Sequence, residues 1–133
     1  MLARTRQWPP FFTARVATAA GTSIASGASG IVAINRAPSS GSFVVPSTSE
    51  ASVLAFGTIT SGTILTGSGD PAAGILAGYN PANANTPNSN IHGNVSIDDY
   101  ATITAAAGTD GIRGVNYGTG DITIVVESGA GVT

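Results

Sequence analysis

The sequence predicts an all-β chain wound as a parallel β-helix, or β-solenoid, that is incomplete at its C-terminus. Three observations predict it. The apolar residues are mostly β-branched, with 22 Ile and Val against 4 Leu, a bias that suits pleated strands. Gly, Ala, Ser and Thr make up 69 of the 133 residues, so strands are short and turns frequent. Three phrases each recur three times in a constant order, which is the signature of a stacked repeat.

The first phrase reads SGIVAINR at Ser29–Arg36, AGILAGYN at Ala73–Asn80 and DGIRGVNY at Asp110–Tyr117. Each copy opens on Gly-Ile and carries an Asn near its end. Gly permits a tight turn there, and Asn tolerates the left-handed conformation. Ile31, Ile75 and Ile112 are expected to stack as one interior ladder at strand spacing, roughly 4.8 Å. Asn35, Asn80 and Asn116 are read either as a turn ladder joined through their amides or as three independent turn residues.

The second phrase follows the first, at Gly41–Val53, Gly93–Ile103 and Gly120–Val132. Its clearest alternation is Ile122, Ile124 and Val126 against Thr123 and Val125, a period of two. The third leads back to the first, as TSIAS at Thr22–Ser26, GTILT at Gly62–Thr66 and ATITA at Ala101–Ala105. Each repeat of about 40 residues is read as two rungs of roughly 20. Residues 21–133 form the repeat region. Within it, residues 81–92 are a polar loop insertion, of which Pro81–Asn90 (PANANTPNSN) is the Pro- and Asn-rich part. Residues 1–20 are expected to be irregular or disordered, with Trp8, Phe11 and Phe12 capping an open core end or lying unstructured.

Composition removes several function classes. Charged residues are 9% of the chain, the net charge is −2 and Lys is absent, so the basic field of a nucleic-acid binder is missing. The Leu-, Lys- and Glu-rich makeup of a helical bundle is missing too. There is no Cys, hence no disulfide framework and no thiolate metal site. No run of 18 apolar residues predicts a transmembrane helix. Arg4 and Arg6 resemble a signal-peptide n-region, but Pro9, Pro10 and Arg15 interrupt any apolar run behind it.

No catalytic residue, metal ligand or cofactor is expected. The chain has one His, His92, and no G-x-S-x-G elbow. Asp98 and Asp99 are the one adjacent carboxylate pair. On a strand they diverge to opposite faces, unlike the facing pair glycoside hydrolysis needs, and a solvated turn is the expected setting. Gly67-Ser68-Gly69-Asp70 half-matches a calcium-binding β-helix turn, but one carboxylate cannot supply six to eight oxygens. The Thr-Ile-Thr pieces at Thr58–Thr60 and Thr102–Thr104 are explained by β-propensity, and Asn94-Val95-Ser96 fits a glycosylation sequon. Tyr79, Tyr117 and Tyr100 are the candidate binding residues, placed on one solenoid face.

The run GTDGIRGVNYGTGDITIVVESGAGVT resembles the repeats of bacterial autotransporter passenger domains and related filamentous adhesins. The resemblance is clearest over Gly62–Thr133 and weaker over Thr22–Val53. It implies a right-handed parallel β-helix exported through an outer membrane, with the parent protein at the bacterial cell surface. The sequence departs from that family in lacking a recognisable signal peptide and the C-terminal membrane barrel. It also stops where a new ATIT-like strand is due, like a fragment cut within a repeat.

The expected function is a structural stalk segment that extends a surface protein and presents loops. The alternative is an adhesin face that binds a glycan or a host surface protein. Further alternatives are a polysaccharide-degrading β-helix enzyme and a truncated reading frame with no role of its own. The expected partners are further rungs of the same parent chain, or other copies joined through open solenoid ends.

Overall fold

The computed structural model describes residues 13–36, 44–67, 69–80 and 87–133. Among them are eleven strands and no helix. The chain visits three sheets in rotation. A first circuit runs through β1 (Ala14–Ala17), β2 (Ser23–Ala25) and β3 (Ile31–Asn35). A second runs through β4 (Glu50–Ala55), β5 (Thr58–Thr60) and β6 (Ala73–Tyr79). A third runs through β7 (Asn94–Asp99), β8 (Thr102–Thr104) and β9 (Asp110–Asn116). Strands β10 (Ile122–Val126) and β11 (Gly131–Val132) begin a fourth.

The first sheet has the order β1-β4-β7-β10, the second β2-β5-β8-β11 and the third β3-β6-β9. Every pairing is parallel. Parallel neighbours need a long crossover, and here the crossover is the rest of the circuit.

Successive side chains of a strand point to opposite faces, and the core-facing ones stack in columns. One column is Val16, Val53, Ile97 and Ile124. Another is Ile24, Ile59, Ile103 and Val132. In the third sheet Ile31, Ile75 and Ile112 lie in register, as the repeated Gly-Ile predicts. The middle circuits bury these residues: Val53 is 2% exposed and Ile97 0%, whereas Ile124, on the last strand of its sheet, is 44% exposed. Each fully buried Ile contributes roughly 1.5–3 kcal/mol.

In the path of the chain and the pairing of its strands, the structure corrects the sequence reading in five places. Residues Ala14–Ala17 form a strand paired with β4, so order begins inside the segment expected to be irregular. Trp8, Phe11 and Phe12 lie outside the described residues. Each repeat makes one circuit of three strands, not two rungs, because equivalent Ile residues pair directly across offsets of 44 and 37 residues. The partner of Ala101–Ala105 is Thr58–Thr60 rather than Gly62–Thr66. Ile64 and Leu65 are instead 65% and 58% exposed.

The second phrase is displaced in its first copy: Ala51 and Val53, not the stretch after Gly41, occupy the places of Val95 and Ile97. The polar insertion is also shorter than residues 81–92. Residues 81–86 lie outside the described set, but Ile91 is wholly buried and bridges Val45 in parallel.

Candidate functional site

The Asn ladder does not form. Asn35 pairs in register with Tyr79, and Tyr79 with Asn116. The cause is length. The middle phrase runs GILAGYN where the others run GIVAIN and GIRGVN, so Asn80 falls one position beyond the column. Gly78 sits within this longer strand at φ +152°, and a Cβ there would run into the carbonyl oxygen of Val115. Asn116 behaves as a turn residue: its Oδ1 accepts from the Gly118 N–H at 2.9 Å, and its Nδ2 donates to the Gly93 and Gly120 carbonyls.

The three tyrosines do not share a face. Tyr79 points inward and is 0% exposed, its ring packed against the bare α-carbon of Gly93. Burial, with a smaller push from Glu50, raises its phenol to about 12. Tyr79 is therefore removed from the candidate binding residues. Tyr100 lies at the corner between the first and second sheets and stacks on Phe56, with ring centroids 4.8 Å apart. Tyr117 lies beyond β9, and its backbone N–H donates to the Tyr79 carbonyl.

The displacement of Asn80 has a second effect. Once Asn35, Tyr79 and Asn116 are level, the next position brings Arg36, Asn80 and Tyr117 abreast at the end of the third sheet. Asp70 is held over this row by a compact turn, in which the Asp70 N–H donates to Thr66 Oγ1 at 3.0 Å. Arg36 Nη2 lies 2.6 Å from Asp70 Oδ2, and Asn80 Nδ2 donates to Asp70 Oδ1 at 2.7 Å. The Asn80 Oδ1 is buried without a hydrogen-bond partner.

Together with Pro71, Leu76, Arg113 and Tyr117, Asp70 and Asn80 line a cleft of about 280 Å³. Arg113 reaches it from the outer side of β9, where it is level with Leu76. Its ion pair is with Asp110, three residues back, at 3.5 Å. Compared with family models, with curated proteins and with solved structures, the chain matches none. Its chemistry is therefore read from this geometry.

The turn at Asp70 is not arranged for calcium, since its carboxylate is engaged by Arg36, Asn80 and Thr66. Among the described residues no group of three or more His, Cys, Asp or Glu side chains could hold a metal ion.

Asp98 and Asp99 do point to opposite sides of β7, but Asp99 is not in a solvated turn. It is 0% exposed, one carboxylate oxygen accepting from the Ala101 N–H at 2.9 Å and the other, Oδ2, left without a partner. Burial holds its carboxyl above the usual carboxylate range, and the Ala101 bond offsets part of that rise.

His92 Nδ1 bonds Thr119 Oγ1 at 2.7 Å, and the Asn94 Oδ1 accepts from the Asp121 N–H. The Thr-Ile-Thr pieces pair with one another, Thr58 with Thr102 and Thr60 with Thr104, all four exposed.

Neither the cleft nor the role of Asn80 is apparent from sequence reasoning. The available signal is the one-residue excess in the middle phrase, because an inserted residue in a stacked strand turns everything after it to the other face.

Proposed function

We propose that this chain is a segment of a β-solenoid stalk, of the kind found in autotransporter passengers and filamentous adhesins, that extends a bacterial surface protein and presents loops. One observation carries the reading: Ile31, Ile75 and Ile112 stand in one parallel register across three circuits. A chain that places equivalent residues over one another gains length by adding circuits, about 4.8 Å for each. Loops leave such a stack between strands without disturbing it. Cell-surface location and right-handed winding rest on the repeat resemblance over Gly62–Thr133.

The test is small-angle scattering and electron microscopy of this chain and of a version with its Glu50–Asn116 segment duplicated. A stalk predicts a rod of unchanged cross-section, longer by about 10 Å for the two added circuits. A globule that widens instead would overturn the reading.

A further inference from the structure

We propose that the cleft over the third sheet binds a single uronic-acid-type sugar residue, its carboxylate on Arg113 and one of its hydroxyls donating to the Asn80 Oδ1. This goes beyond the stalk reading and does not depend on export or on winding hand. Three features of the cleft select the ligand.

The first is the buried Asn80 Oδ1, which accepts from no protein group. A buried acceptor left unpaired keeps the full cost of its lost hydration, so a ligand that supplies a donor is favoured there. A hydroxyl meets this need; a fully ionised phosphate has no hydrogen to give.

The second is Arg113. Its planar guanidinium suits bidentate contact with a carboxylate. The competing Asp110 is 3.5 Å away, and the two side chains are 34% and 53% exposed, so that pair is weak and readily exchanged. Asp70 does not repel an acid from the cleft, because Arg36 lies against it at 2.6 Å.

The third is shape. Leu76 and Asn80 are four positions apart, roughly 13 Å for an extended chain, with Arg113 level with the first. Pro71 and Tyr117 supply apolar surface for the C–H face of a ring. A cleft of about 280 Å³ holds one such ring and excludes a drug-sized ligand.

The experiment is a ¹H–¹⁵N titration of the full 133-residue chain with D-glucuronate and D-galacturonate, and separately with D-glucose and with acetate. Saturable shifts at Asn80, Arg113 and Tyr117 are expected with at least one uronate, and about tenfold weaker binding with glucose and acetate. Arg113→Gln and Asn80→Leu should each weaken uronate binding by about tenfold. Arg113→Lys, which keeps the charge and the fold but loses the fork, should weaken it several-fold.

The proposal is overturned if neither uronate gives a saturable shift, or if glucose binds as well as the uronates. It is also overturned if acetate binds equally well, which would mark a simple anion site, or if Arg113→Lys and Asn80→Leu variants with an unchanged β spectrum bind like the parent chain.

Discussion

Asn35 lies level with Tyr79, not with Asn80. From this offset follow the burial of Tyr79 against Gly93, the outward turn of Asn80 to Asp70, and the Arg36–Asn80–Tyr117 row beside the cleft. One inserted residue in a repeated phrase has exchanged a ladder position for a polar site. The exchange depends on Gly78, where the chain passes too close to Val115 for any side chain.

Gly78→Ala should therefore lower stability by about 1–3 kcal/mol, since both its φ of +152° and the Val115 carbonyl oppose a Cβ. Urea unfolding followed by far-UV circular dichroism measures the loss. A change below a few tenths of a kcal/mol would contradict the close approach.

Two Ile residues of one column separate the middle of the stack from its last strand. Ile97 is 0% exposed and Ile124 is 44% exposed. Ile97→Ala should cost about 2–5 kcal/mol, and Ile124→Ala roughly 1 kcal/mol. Equal losses in chemical denaturation would mean that the two do not occupy one column of graded burial.

Asp99 gives the chain an acid-side preference. Its folded-state value is raised, so the folded chain keeps a proton that the unfolded chain has already lost. The contribution is complete below about pH 4 and falls as pH rises through the folded-state value. Asp99→Asn keeps the oxygen that accepts from Ala101 and removes the buried charge. Melting at pH 7 should rise by about 3–6 °C, the shift that roughly 1 kcal/mol produces in a chain of this length. The gain should vanish at pH 4, and an equal gain at both pH values would exclude the carboxylate as its source.

Tyr79 acts at the other end of the scale. Its phenol is raised from 10.0 to about 12, so its stabilising contribution is intact below pH 10.0 and lost as pH climbs through about 12. A tyrosinate absorbance step near that pH should coincide with loss of the β signal and be absent in Tyr79→Phe. A Tyr79 ionisation complete by pH 10 would contradict the burial.

Much of the architecture was legible in the amino acids. The Gly-Ile openings placed Ile31, Ile75 and Ile112 together because a β-branched residue after a turn glycine has one good place in a stacked strand. Alternation alone could not choose between Thr58-Ile59-Thr60 and Thr63-Ile64-Leu65, which share a pattern, and the corner preceding the first of these decides the register. The candidate site was less legible. Tyr79 looked like a binding aromatic because its inward direction depends on counting residues through Gly78. Asp99 looked solvated because an adjacent acidic pair ordinarily is, and its burial follows from strand parity.

The circuits stack in one parallel register in all three sheets, and cysteine pairing in the second sheet tests that register most directly, since the chain has no Cys of its own. Thr58 and Thr102 are exposed register partners, whereas Thr63 is the partner the phrase alignment favours. Thr58→Cys with Thr102→Cys should close an intramolecular disulfide under mild oxidation, because paired strands bring the two α-carbons within bridging range. Thr63→Cys with Thr102→Cys should remain reduced under the same conditions. Closure of the second pair in place of the first would contradict the register, and with it the cleft at Asn80.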